Sequence, residues 1–232
     1  MGTFRIKGGK KLQGTIVPQG AKNEALQILS AVLLTPEPVI IHNIPLIRDV
    51  LKLIELLGEL GVKVEKLSDH SYRFEAAQVN LEYLNSEEFK QKGAGLRGSI
   101  MVLGPLIARF GKGYIPKPGG DKIGRRRLDT HFIGFQKLGA EFVYDSENSF
   151  YKVNATNLKG AYILLDEPSV TGTANIIMAA VMAEGKTTIY NAACEPYLQQ
   201  LCRMLNSMGA NIKGHGTNLI EIEGVKSLHG CE

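Results

Sequence analysis

The chain has 232 residues, with 27 Lys and Arg against 23 Asp and Glu, for a formal net charge of +4. Apolar residues make up 44% and charged residues 22%, which excludes a collagen, a disordered tail and a disulfide-stapled miniprotein. The apolar run Ile28–Leu34 is interrupted by Ser30, and no stretch approaches the roughly 18 apolar residues that suggest a membrane span.

In chain order, the first predicted element is a helix over Ala21–Leu34, opened after Gly20 and apolar on most faces, as buried helices are. An extended segment, Val39–His42, follows. Ile47, Val50, Leu51, Ile54 and Leu57 then recur at i, i+3, i+4, i+7 and i+10, which predicts an amphipathic helix. Gly61 stops that helix and a strand begins. The same order returns twice. Helices over Leu96–Phe110 (after Gly95) and Thr173–Ala183 (after Gly172) are again apolar nearly all round, and Gly113–Pro116 and Thr187–Asn191 are again extended. Helix–glycine–strand endings recur at Gly139 and Gly209. The three glycines lie 78 and 70 residues apart, too long for a solenoid period and suited to copies of a small α/β unit. The unit reads strand, buried helix, strand, amphipathic helix, strand, strand. The fold class is therefore α/β, one domain of three repeats (about 21–80, 81–160 and 161–229), with buried helices packed together and residues 1–20 as an N-terminal arm.

Charge is concentrated. Residues 109–127 hold seven basic residues and one acid, Asp121, for a local +6, which leaves −2 for the rest of the chain. A focused positive segment suits an anionic ligand better than a coat for nucleic acid. Arg125, Arg126 and Arg127 lack interleaved aromatics, so no stacking platform for bases is evident. Cys194, Cys202 and Cys231 form no C-x-x-C pair, and the five histidines form no H-x-x-x-H. Neither a metal nor a disulfide framework is expected, and Cys194 and Cys202 read as packing residues. The first residues contain no apolar leader stretch, so a cytoplasmic location without a membrane partner is expected.

Four places carry candidate chemistry. Lys22 and Asn23 sit in the first turn of the first buried helix, where free backbone N–H groups and a cation form an anion site. Arg97 takes the equivalent place in the second repeat, and an Arg fork suits phosphate or carboxylate. The Gly- and Pro-rich loop over Pro116–Asp129 carries Asp121, a lone acid among cations. Ser169, Val170, Thr171 and Gly172 lead into the third buried helix and suit a diphosphate, although Ser and Thr are also ordinary helix caps.

Together, Pro18–Asn23, Leu96–Ile100, Gly104–Arg109, Gly119–His131, Pro168–Val170, Ala183–Gly185 and Asn191–Pro196 resemble the enolpyruvyl transferase family, and within it the branch that acts on UDP-N-acetylglucosamine. The resemblance runs over essentially the whole chain. It implies an inside-out α/β barrel domain of three βαβαββ units around internal helices. It implies transfer of enolpyruvyl from phosphoenolpyruvate to the 3′-hydroxyl of UDP-N-acetylglucosamine, the committed step of peptidoglycan synthesis and so of cell-wall biogenesis, cell shape and division. It implies no metal and no organic cofactor. Lys22 and Arg97 match positions that hold phosphoenolpyruvate, and Asn23 matches one that touches the sugar. Arg126, Leu128 and Asp129 match the segment at the uridine end, and Ser169, Val170 and Thr171 match the diphosphate turn. Asp121, Lys22 and Arg97 are carried over as catalytic. Asp121 replaces a Cys of most relatives, and a carboxyl group also serves as proton donor or acceptor. Arg127 stands where many relatives have Pro, and Glu167 where some have Lys. Relatives are nearly twice as long, so a second domain that supplies further groups is expected to be missing, and the arm is expected to pack with it. The 232-residue chain alone is expected to be inactive.

Two other readings are the sister activity on shikimate 3-phosphate and a non-catalytic nucleotide-sugar-binding fragment. In the family, fosfomycin alkylates the Cys that Asp121 replaces. Intact-mass spectrometry after incubation with fosfomycin is expected to show no covalent adduct at Asp121; an adduct there would refute the assignment.

Overall fold

The computed structural model describes residues 3–116, 128–146 and 150–232. Asp121 and Arg126, with Arg125 and Arg127, lie outside the described residues. Residues 3–20 form no helix or strand, and α1 (Lys22–Ala31) opens the regular structure. A 3-10 turn, Val32–Leu34, leads from it to β1 (Pro38–Ile41), α2 (Arg48–Glu59), β2 (Lys63–Ser68) and β3 (Ser71–Glu75). The second unit holds α3 (Glu87–Ala94), α4 (Leu103–Phe110), β4 (Lys112–Pro116), α5 (Asp129–Lys137), β5 (Glu141–Asp145) and β6 (Phe150–Asn154). The third holds β7 (Tyr162–Leu164), α6 (Val170–Ala180), β8 (Lys186–Tyr190), α7 (Pro196–Ser207), β9 (Asn211–Lys213) and β10 (Leu219–Glu223).

Three separate sheets result, ordered β1-β3-β2, β4-β6-β5 and β7-β8-β10-β9. In each, the unit's last strand lies between the two that flank its amphipathic helix, and pairs antiparallel with both. The buried helices α1, α4 and α6 form the centre. Leu29, Leu33, Leu106, Ile176, Ile177 and Met178 are closed to solvent there.

The three predicted stops share one geometry. Gly61, Gly139 and Gly209 have φ of 93°, 98° and 101°, where a side chain would be strained. In each, the residue after the glycine donates to the carbonyl five back (Val62 to Leu57, Ala140 to Phe135, Ala210 to Leu205). The glycine itself donates to the carbonyl three back. This is the Schellman arrangement, which satisfies the last carbonyls of a helix locally.

Several expectations are corrected. Among the described residues the leading strand exists only in the third unit, as β7 parallel to β8. The second unit instead opens with a 3-10 turn, Leu81–Asn85, and α3, whose Ser86 hydroxyl accepts from Phe89 N–H at 3.1 Å. The helix expected over Leu96–Phe110 is a 3-10 segment, Arg97–Val102, followed by α4. Pro105 has no N–H to donate to the carbonyl of Met101, and proline belongs in a helix's first turn. The helix expected from Thr173 starts at Val170, capped by Ser169, whose Oγ accepts from Gly172 N–H at 3.2 Å. On α2 the buried face is Val50, Leu53, Leu56 and Leu57, while Leu51 is 42% exposed. The +6 segment also divides. Arg109 is turned into the body of the protein, where its Nη1 donates to the carbonyls of Leu33, Thr35 and Ala76 at 3.1, 3.1 and 2.8 Å. It binds the second unit to the end of the first.

The units also close end to end. Ile40 N–H donates to Cys231 carbonyl and Gly230 N–H to the Glu37 carboxylate, both at 2.9 Å. Burial pushes the Cys202 thiol up to about 12, which keeps it protonated and inert in the core. No helix among the described residues is long and apolar enough to cross a membrane.

Close approach of α4 and α6 depends on Gly104. A Cβ there would lie 2.4 Å from the Asn175 carbonyl oxygen and 2.5 Å from its Oδ1. Gly104→Ala is expected to cost about 3 kcal/mol in urea denaturation. Gly58→Ala, whose Cβ meets nothing within 4 Å, is expected to raise stability by about 0.5 kcal/mol.

Candidate active site

The starts of α1, of the Arg97–Val102 turn and of α6 border one cavity of about 700 Å³, within the size range of small-molecule sites. Six sequence-predicted residues line it together: Lys22, Asn23, Arg97, Leu128, Val170 and Thr171. Asp129 begins α5 beside Leu128. Ser169 is one residue removed and caps α6. The loop residues Asp121 and Arg126 lie outside the described residues.

The local backbone makes this end suited to an anion. Ala21, the residue before α1, is extended and offers no side-chain cap. The N–H groups of the first turn are therefore left for solvent or ligand, and the helix dipole adds partial positive charge there. Lys22 and Asn23 stand on that turn.

Other lining residues were not legible in the sequence. Arg48, Asp49 and Lys52 come from the first turns of α2, and Tyr197 from the start of α7. Among the described residues the lining thus holds four cations (Lys22, Arg48, Lys52, Arg97) against the single carboxylate Asp49. Asp49 pairs with Lys22, but both side chains are more than 40% exposed, so the pair is worth under about 1 kcal/mol and yields readily to an incoming anion. Gln27, one turn below Asn23, also lines the cavity and is 1% exposed. Its Oε1 has no hydrogen-bond partner among the described residues. Leaving a buried acceptor unmet costs about 1–3 kcal/mol, so a donor group entering the cavity is favoured at this depth.

Behind the lining lies His131, 2% exposed. Burial and the nearby Arg97 charge lower its pKa to about 4, so the imidazole is neutral at physiological pH. Among the described residues no group of three or more His, Cys, Asp or Glu is placed to hold a metal ion.

A profile of the family described as EPSP synthase (3-phosphoshikimate 1-carboxyvinyltransferase) matches residues 6–232. The chain belongs to the EPSP synthase family. Within it, the chain is 62% identical over its whole length to a Bacteroides fragilis protein named UDP-N-acetylglucosamine 1-carboxyvinyltransferase. It is 61% and 47% identical to proteins of the same name from Porphyromonas gingivalis and Treponema denticola. It covers 54% of the first two and 53% of the third, so the chain spans about half the length of these relatives. Among solved structures, the enolpyruvyl transferase NikO from Streptomyces tendae superposes with a TM-score of 0.78 at 19% identity, over 96% of this chain and 51% of that one. An EPSP synthase from Acinetobacter baumannii gives 0.64 at 16% identity, over 94% and 48%. These likenesses establish the fold, in which this chain corresponds to about half of each protein.

The depressed His131 pKa has a stability consequence with a fixed sign. Between pH 6.5 and about 4 the unfolded chain protonates His131 and the folded one does not, so stability falls as pH falls through that window. Relative to His131→Phe, the wild-type chain is expected to lose about 3 kcal/mol between pH 7 and pH 4, read from urea midpoints, at about 1.4 kcal/mol per pKa unit.

Proposed function

We propose that this chain is one half of an enolpyruvyl transferase that moves the enolpyruvyl group of phosphoenolpyruvate to the 3′-hydroxyl of UDP-N-acetylglucosamine, releasing phosphate, in cytoplasmic peptidoglycan synthesis. The observation that carries this reading is the cavity itself. Lys22, Asn23, Arg97, Leu128, Val170 and Thr171 come from three repeats, at the starts of α1, the Arg97–Val102 turn, α5 and α6, yet border one anion-attracting space. The relatives at 61–62% identity carry the matching name.

Lys22 and Arg97 hold the phosphate and carboxylate of phosphoenolpyruvate. Fixed cations at these groups act on charge without reorganisation, the largest contribution in many enzymes. Asn23 contacts the sugar, while Arg126, Leu128 and Asp129 hold the uridine end. The Ser169–Thr171 turn takes the diphosphate. Asp121 serves as proton donor or acceptor where most relatives use Cys, and the protein is accordingly insensitive to alkylation by fosfomycin there. The second domain of the longer relatives supplies the remaining groups. The arm supports this: Phe4, Ile6, Leu12, Ile16 and Val17 are 85–93% exposed, an apolar series that calls for a covering surface.

The description of the matched profile favours shikimate 3-phosphate as a second reading. The two separate by competition. Titration with UDP-N-acetylglucosamine is expected to shift the amides of Asn23, Leu128, Asp129 and Ser169–Thr171, and shikimate 3-phosphate is not expected to displace it. Lys22→Ala and Arg97→Ala are each expected to weaken phosphoenolpyruvate binding at least tenfold, at about 1.5–3 kcal/mol for a hydrogen bond to a charged group. The 232-residue chain is expected to release no phosphate from the substrate pair; turnover by it would overturn the assignment as a half-enzyme.

A further inference from the structure

Asn175 sits on α6, fully buried between α4 and α5, and the orientation of its amide is fixed by two backbone groups. Its Oδ1 accepts from Gly104 N–H at 2.7 Å, and its Nδ2 donates to Ile100 carbonyl at 2.8 Å. A flipped amide would set N–H against N–H and oxygen against oxygen. The second Nδ2 hydrogen faces His131 Nδ1 at 3.1 Å. Nδ1 must therefore accept. In a neutral imidazole one nitrogen accepts and the other donates, so the proton is on Nε2. Nε2 lies 3.3 Å from Thr171 Oγ1. With that oxygen accepting from the ring, the only hydrogen on Oγ1 is free to turn outward, and Thr171 is exposed on the cavity wall.

We propose that His131 is a positioning residue: held by Asn175 as its Nε2–H tautomer, it fixes the Thr171 hydroxyl as a hydrogen-bond donor toward an oxyanion in the cavity. The device adds a donor to the cavity that Lys22 and Arg97 also line, without adding a further positive charge there. It makes the α6 end of the cavity selective for acceptors. This rests on the reading above that a diphosphate lies against the Ser169–Thr171 turn. The arrangement is not legible in the sequence, because Asn175, His131 and Gly104 come from three elements.

The test has two readouts on the 232-residue chain. Long-range proton–nitrogen NMR of the histidine ring is expected to show His131 protonated at Nε2 alone. Asn175→Asp, which replaces the donor by an acceptor, is expected to move the proton to Nδ1. A wild-type ring protonated at Nδ1 overturns the proposal. The second readout is calorimetric titration with UDP-N-acetylglucosamine. His131→Phe and Thr171→Val are each expected to weaken binding about tenfold, as for one hydrogen bond to a charged group. The double variant is expected to be no weaker than either. His131→Gln, which retains a donor near Nε2, and Thr171→Ser are expected to stay within about threefold of wild type. Additive losses in the double variant, or full affinity in Thr171→Val, overturn the proposal. Thr171 is exposed, so its variants keep the test open should His131→Phe misfold. If the wild-type chain binds no UDP-N-acetylglucosamine, the functional reading fails, and the positioning role then stands or falls on the tautomer.

Discussion

Gly104 against Asn175 is the contact on which the centre of this protein turns. Two apolar helices, α4 and α6, meet there, and they approach closely because one residue has no Cβ. A buried amide then links three elements at once: the end of the Arg97–Val102 turn, the start of α4 and the buried histidine of α5. Buried polar groups stabilise a single arrangement when every member is satisfied, and each hydrogen-bonding group of the Asn175 amide has a partner. The position of Arg97 in the cavity follows from that registration, because its turn is held to α6 through Ile100.

The cavity collects like charges, and the fold contains the repulsion. Lys22, Arg48, Lys52 and Arg97 share one rim, with only Asp49 opposing them among the described residues. Asp49 neutralises Lys22 in a half-exposed pair of small energy. Charge is thus held ready in a form that an anion displaces at little cost. Neutral groups complete the lining. Gln27 presents an unmet acceptor at depth, and the low pKa of His131 keeps a further charge out of the cluster.

Local chemistry made much of this legible. The Schellman glycines at 61, 139 and 209 are written in the sequence because the whole motif lies within six residues, and Lys22, Arg97 and Thr171 were found because they stand beside helix starts. Tertiary features were hidden. Arg48, Lys52 and Tyr197 enter the cavity only when α2 and α7 pack beside α1, and nothing local marks them. Leu51 kept the helical spacing yet faces out, because the packed stripe runs one residue to its side. Gly172 reads as a helix start but lies inside the first turn, where a Cβ would come within 2.7 Å of Thr130. Arg109 had the right charge for a ligand and the wrong position. Its guanidinium is a structural cross-tie, and only the packing of the second unit on the first reveals that.

The bonds from Gly230 and Cys231 back to Glu37 and Ile40 give the three units the connectivity of a ring rather than a stack. Linear repeat proteins add or shed terminal units because each repeat touches only its neighbours. Here the first unit has two neighbours, one reached through Arg109 and one through the last residues of the chain. Contacts separated by nearly the full sequence raise contact order and slow the search for the native state. Completion of the first sheet's edge therefore waits on synthesis of residue 231, and the domain gains cooperativity at the expense of folding in parts.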